Sequence, residues 1–469
     1  MLNIDEAIDS FRRGAVDIDC KRMVLTQHKE GGERFEGQGY IRQSPDGTLV
    51  FKIYVSQCNA EPLGHLKARV GIKAGQLHCD EMFYDLDATA HDGTRWAAAR
   101  ILPAPNWDMS DRSVIVCGEM QSVIARLSQP PTRHYLRLHF FEEYQVPLHQ
   151  MSETERHGNR CYVRDRTEFE TCGAKFEVRK REGSGDTVVE VASDSALPVA
   201  FDLRIQEALQ YITAKPAIWR ARIESKDGGF NLELASPWRK SVHTQFSPPI
   251  SSVSIHFHER GWELFGKYLA YAVEKTEGIH WNPVAYHLHN ACEATANSVD
   301  AWAVGVSVAV EAVAGLINIE KDEEKEKAKS DRLVRFQERM RKLFAAETDF
   351  ADLAPRMEGL INAMGNKRPQ DTLYALADMG HVEKDYVDAW TYLRNRHVHP
   401  MLSDLKKPDT VDYQNLLDHI HRVEVLLRQL TFHLIGYEGP FTDYGVEGFP
   451  SKQYPLAKMC SSVDEEREI

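Results

Sequence analysis

The feature that most constrains this chain is a change in the period of its hydrophobic pattern near residue 260. Before that point apolar residues alternate in short runs, and after it they recur at helical spacing. In the clearest early hairpin, Gly39-Tyr-Ile-Arg-Gln leads through Ser44-Pro-Asp-Gly into a run where Leu49, Phe51, Ile53 and Val55 alternate with Val50, Lys52 and Tyr54. Proline fixes φ and glycine accepts positive φ, so Pro45-Asp46-Gly47 is a turn. Residues 175–180 with 187–191, and 219–223 with 230–234, make two more such pairs around glycine-rich turns. Further strands are expected at 113–116 and 135–140, with one helix at 203–213 that sets Ile205, Leu209 and Ile212 on one face. Many short antiparallel strands predict a sandwich or barrel.

Beyond the change the spacing predicts helices. A helix is expected over 261–276, and Asn282-Pro283 supplies an N-cap and a first-turn proline for the next. An almost wholly apolar helix follows over 298–317. The run 320–341 mixes both charge signs while Leu333, Phe336, Met340 and Phe344 keep helical spacing, which reads as a solvated helix. Gly365-Asn-Lys-Arg-Pro is expected to be a loop and 412–435 the last helix. The fold class is therefore α+β in two domains. An antiparallel β-rich domain, sandwich or barrel-like, occupies 1–255, and an all-α bundle occupies 256–436. Residues 437–469, rich in Gly, Pro and aromatics with an acidic end, form an extension.

A chain of 469 residues is too long for one ordinary domain. Its net charge of −13 argues against a protein that coats nucleic acid through bulk electrostatics. The sign reverses locally, because Arg394, Arg396, Lys406 and Lys407 face only Asp404 between residues 394 and 407. The 8 cysteines are scattered with no C-x-x-C pair, as expected of free thiols in a reducing compartment. The N-terminus lacks the basic and apolar regions of a signal peptide. The most apolar run, 302–317, falls short of the ~18 residues a membrane span needs and contains Glu311. A cytoplasmic protein without a membrane segment is the expectation.

The stretch Tyr392-Leu-Arg-Asn-Arg-His-Val-His-Pro carries the most chemistry. It brings together a permanent cation, an amide and a group that titrates near neutral pH, the set needed to grip or attack a phosphodiester. An apolar stripe of Tyr386, Trp390, Leu393 and His397 leads into it, and Pro400 biases His399 toward extended geometry. A helix C-terminus also collects basic residues through the macrodipole alone. The spacing of Arg394, Asn395 and His399 resembles the R-x(4–6)-H signature of HEPN domains, whose arginine is often followed by asparagine. With a long apolar helix before the motif and a β-rich region before that, the whole is similar to the ApeA-like HEPN proteins of bacterial anti-phage defence.

That resemblance implies a metal-independent endoribonuclease acting in abortive infection, with the site shared between two copies of the chain. His399 would serve as general base or acid, Arg394 as phosphate clamp and Asn395 as an orienting partner. Arg396, His397, Lys406 and Lys407 would contact substrate RNA, and the β-rich domain would meet a trigger such as a phage-derived protein. Glu311 either pairs with Arg394 or lies on the solvent flank of its helix. His397 also falls on the apolar stripe, as a packed histidine would. No cofactor is expected, and no metal, since the histidines two apart at 256/258 and 287/289 lack a third ligand at fixed spacing. Walker A, dinucleotide-binding and nucleophile-elbow patterns are missing. A second reading stays open: a dimeric binding or sensor protein whose helical domain holds a nucleotide or a partner and cleaves nothing.

Overall fold

The computed structural model describes residues 2–61, 73, 75–127, 133–156, 159–181, 185–226, 228–237, 244–319, 323–346, 353–363, 368–398 and 413–456. An antiparallel β-rich region precedes a helical one, an α+β arrangement in two compact units. The division falls at residues 242/243 instead of 255/256, and two short segments are exchanged across it. Residues 210–215 join the helical unit and 272–280 the β unit.

The β unit opens with helix α1 (Ile4–Arg12) and continues with strands β1 (Asp17–Gln27), β2 (Arg34–Gln43), β3 (Leu49–Cys58), β4 (Tyr84–Ala90), β5 (Arg95–Ile101), β6 (Ala104–Trp107), β7 (Val114–Met120) and β8 (Ser122–Leu127). Then come β9 (His134–Phe140), β10 (Gln150–Arg156), β11 (Asn159–Thr171), β12 (Ala174–Lys180), β13 (Thr187–Ser193), helix α2 (Phe201–Thr213), β14 (Ala221–Lys226) and β15 (Gly229–Ala235). All the expected hairpins are present, with β2–β3, β12–β13 and β14–β15 paired antiparallel. The strands form one continuous 15-stranded ladder in the order β10-β11-β12-β13-β9-β14-β15-β8-β5-β4-β1-β2-β3-β7-β6. Among the described residues its ends, β10 and β6, do not pair with each other. Within β3, Leu49, Phe51 and Ile53 are buried and Val50, Lys52 and Tyr54 are not, so the alternation sets which face meets the core. That core joins side chains from both halves of the ladder, among them Phe35, Leu86, Trp96, Val123 and Leu232, and α1 adds Ile8 and Phe11.

The helical unit contains α3 (His256–Lys275) up to residue 271, α4 (Pro283–Ala294), α5 (Val299–Leu316), α6 (Glu323–Ala346), α7 (Ala354–Ala363), α8 (Pro369–Asp378), α9 (Lys384–Leu393) and α10 (Tyr413–Ile435). Asn282 caps α4 through its Oδ1, which accepts from the Val284 amide at 2.9 Å, and Pro283 fills the first position. Ser298 does the same for α5 with the Ala301 amide at 3.1 Å. Gly305 permits α5 to press on α4, since a Cβ there would sit 2.6 Å from the Ala294 Cβ. Helix α5 is the one element among the described residues long and apolar enough to cross a membrane. Here Trp302, Ala303, Val306, Val310 and Val313 are instead buried within the unit. The charged run is the helix α6, with most of its described side chains exposed. The extension after α10 belongs to the helical unit. Its hairpin of β16 (Gly439–Thr442) and β17 (Ser451–Tyr454) packs Phe441 and Tyr454 on Phe432, and Lys452 bridges Glu383 and Asp443. The expected loop at 365–369 falls mostly outside the described residues, as does the acidic end.

Helix α10 carries a carboxyl in this core. The Trp302 Nε1–H donates to Glu424 Oε1 at 2.8 Å, and the side chain is buried. Burial pushes the Glu424 carboxyl from about 4.5 up to about 8, against the opposing pull of Arg428 and the Trp302 hydrogen bond. A carboxyl with a raised native pKa binds its proton more tightly when folded. Its contribution is fully present below the unfolded value and is lost as pH climbs through the folded one. Wild-type stability measured by urea unfolding is expected to decline between pH 5 and 8 by on the order of a few kcal/mol from this group. Glu424→Gln should flatten that decline, and an unchanged slope would rule the assignment out.

Candidate active site

Helix α9 does not stop at Leu393. It runs on into a π-helical turn, Arg394–Val398, which holds most of the motif. Such turns close i→i+5 hydrogen bonds, pack less well than α-helix and are rare, and they occur often at functional sites. The turn and α9 are anchored by Tyr386, Val387, Trp390 and Leu393, all buried, with the Trp390 Nε1–H donating to the Ser307 carbonyl on α5 at 3.0 Å.

From that anchor the turn reaches two carboxylates of α5. Arg394 Nε lies 2.8 Å from Glu311 Oε2, and Nη2 lies 3.3 Å from Oε1, a side-on bidentate pair. Of the two readings of Glu311, pairing is the one observed. The hydrogen bond raises the guanidinium further above its ordinary value, and the Trp390 ring lies 5.7 Å from Arg394 Cζ. Side-on pairing engages one edge of the planar fork and leaves its other N–H donors available to a second anion. The pair is about one-third exposed, at 31% and 36% for the two side chains. On the other side His397 Nδ1 lies 3.3 Å from Asp300 Oδ1, and its side chain is only 10% exposed. Burial lowers the His397 pKa against the opposing pull of Asp300, so the ring is neutral near pH 7. His397 thus faces inward, which follows from its place on the apolar stripe.

Asn395 and Arg396 are exposed. The Arg396 Nη1–H donates to the Tyr392 hydroxyl at 2.8 Å, and the Tyr392 ring meets His419 of α10 edge to face at 4.5 Å. His399, Lys406 and Lys407 lie outside the described residues. Sequence reasoning missed Asp300, Tyr392 and His419. The one available signal for the last was His419-Ile-His421, a pair of histidines in an otherwise apolar helical register.

The histidine pairs at 256/258 and 287/289 lie on helices α3 and α4, not on strands. Two residues of helix turn a side chain through about 200°, so each pair diverges. His289 is buried with Nδ1 3.1 Å from Gln210 Oε1. Among the described residues no three His, Cys, Asp or Glu side chains are grouped to hold a metal. The β unit contains a separate cleft of about 1580 Å³ lined by Tyr40, Lys52, Arg100, Tyr135, Trp219 and Arg222 among others. No family model, curated protein or solved structure matches the chain.

A part-exposed ion pair contributes little to stability because water competes for both charges. Arg394→Ala and Glu311→Ala are each expected to change unfolding free energy by less than about 1 kcal/mol. A double-mutant cycle should give a coupling of about 0.2–1 kcal/mol. Thermal and urea unfolding of the four proteins check this, and a coupling of several kcal/mol would mean that the pair is a structural keystone.

Proposed function

We propose that the helical unit is a HEPN-type endoribonuclease that cleaves RNA without a metal. The observation that carries the reading is Arg394. It is presented on a partly exposed π-helical turn with its guanidinium aimed by Glu311 and part of its fork left open, beside the exposed Asn395 and Arg396. A guanidinium so held suits a phosphate whose non-bridging oxygens gain charge in the transition state, since it needs no reorganisation at that moment.

In the proposed reaction His399 takes the proton of a ribose 2′-hydroxyl. That oxygen attacks the adjacent phosphorus, and the 5′-oxygen departs with a proton. The products are a 2′,3′-cyclic phosphate and a free 5′-hydroxyl. Arg394 neutralises the charge on phosphorus, Glu311 positions Arg394, and Asn395 orients the phosphate or the histidine. Lys406 and Lys407 add cationic contacts along the strand. The step needs two proton-transfer groups and the motif has one histidine that leads away from the apolar stripe, which supports pairing of two chains around a shared cleft. The large cleft of the β unit supports a sensing role for that unit, with a phage-derived protein as its trigger in a cytoplasmic abortive-infection response.

Three outcomes are expected with purified protein. His399→Ala and Arg394→Ala each abolish cleavage while the far-ultraviolet circular dichroism and oligomeric state are kept. Arg394→Lys also loses most activity, on the order of 100-fold, because an ammonium cannot pair side-on with Glu311 and grip phosphate at once. EDTA leaves the rate unchanged, and end-group analysis finds 5′-hydroxyl and 2′,3′-cyclic phosphate ends. Products with 5′-phosphate ends that vanish with chelator would overturn the mechanism, even if both substitutions silenced the protein.

A further inference from the structure

Two side chains beside the motif turn, Tyr392 and His419, take no part in the reading above, and Arg396 of the turn reaches one of them. Tyr392, on the last turn of α9, is 37% exposed although its helix is otherwise anchored in the core. His419 of α10 meets its ring edge to face, with centroids 4.5 Å apart and planes at 64°, and so braces the ring from the α10 side. From the turn itself, the Arg396 Nη1–H donates to the Tyr392 hydroxyl at 2.8 Å, and the guanidinium carbon lies 5.9 Å from the ring centroid. The result is an aromatic ring held at two points, partly open to solvent, with a cation at its rim. Among the described residues the buried His419 Nδ1 has no hydrogen-bond partner.

An exposed aromatic ring beside a cation matches the two parts of a nucleotide. The ring's face stacks on a base, and the guanidinium meets the adjoining phosphate. Arg394 and Tyr392 leave the same helix end, Arg394 toward α5 and Tyr392 toward α10. Arg396, four residues on from Tyr392 and so on the same side of the helix, is therefore the cation placed to meet the phosphate of a base stacked on that ring.

We infer that Tyr392, braced by His419 and flanked by Arg396, forms a stacking subsite for an unpaired nucleobase whose adjoining phosphate meets Arg396. The inference rests on the nuclease reading and adds to it a residue-level contact, the ring face on which one unpaired base of the strand stacks. Because stacking is tolerant of base identity, the subsite selects for an unpaired base more than for a particular one.

The test uses the full-length protein and short single-stranded 2′-O-methyl RNA oligonucleotides, which cannot be cleaved through the 2′-oxygen, each with 2-aminopurine at one position. Stacking quenches 2-aminopurine fluorescence, and anisotropy reports affinity separately. Wild type is expected to bind and quench. Tyr392→Ala should lose the quenching and weaken binding roughly five- to hundred-fold. Tyr392→Phe should keep the quenching, since it retains the ring. Arg396→Ala should weaken binding with the quenching at saturation kept. A duplex of the same sequence should bind more weakly than the single strand. Binding with quenching that Tyr392→Ala leaves intact overturns the subsite alone. If no oligonucleotide binds, and wild type also fails to cleave RNA, the nuclease reading falls and the subsite with it.

Discussion

The helical unit depends on burying one nearly uniform apolar helix, Val299–Leu316. A helix that is apolar on most of its circumference must be enclosed on several sides, and α4, α8, α9, α10 and the motif turn enclose this one. Its few polar groups then become fixed points. The Trp302 indole finds Glu424, the Ser307 carbonyl accepts from Trp390, Asp300 meets His397, and Glu311 meets Arg394. The candidate site is thus mounted on a helix packed into the core of its unit, so the position of Arg394 is set by core packing and not by a loop.

Two carboxylates anchored to that helix live in opposite environments. Glu424 is fully enclosed and its burial favours the neutral form, so it behaves as part of the core. Glu311 is about one-third exposed and stays paired with a permanent cation. An ion pair at that depth holds direction without contributing much stability, which leaves the guanidinium free to share its donors with an incoming anion. On the far side of the turn the inward-facing His397 is held mainly by burial, so packing and the Arg394–Glu311 pair together fix the turn across α5.

Local signals in the sequence reached the architecture well and the site only in part. The Pro-Asp-Gly turn and the alternation of Leu49, Phe51 and Ile53 specify a hairpin with one buried face, and that is how β2 and β3 pair. Asn282-Pro283 marks the start of α4 for an equally local reason. The single ladder was not visible, because alternation identifies strands but carries no information on whether distant ones join one sheet or two. The start of α3 at His256, five residues before the expected Gly261, left no local mark, because nothing in His256-Phe-His-Glu-Arg signals a helix N-terminus. Whether Glu311 would face Arg394 could not be decided from helical angles alone, since it turned on how the motif turn crosses α5. The π-helical turn left no mark in the pattern at all. Nothing in Arg-Asn-Arg-His-Val distinguishes a widened turn from an ordinary one.

The strand order of the ladder has a consequence for how the chain is made. Strands β1 to β8 occupy one contiguous stretch of the ladder and β9 to β15 the other, and among the described residues the pairing of β8 with β15 is the only strand pairing that joins them. The first half can therefore assemble as a hydrogen-bonded body on the ribosome while the second is still being translated. Until Gly229–Ala235 emerges, β8 presents an unpaired edge, a template to which a neighbouring nascent chain could add. The nascent protein carries an unguarded sheet edge for the seconds of synthesis that separate those strands, and that interval is where a holding chaperone would decide the yield of folded protein.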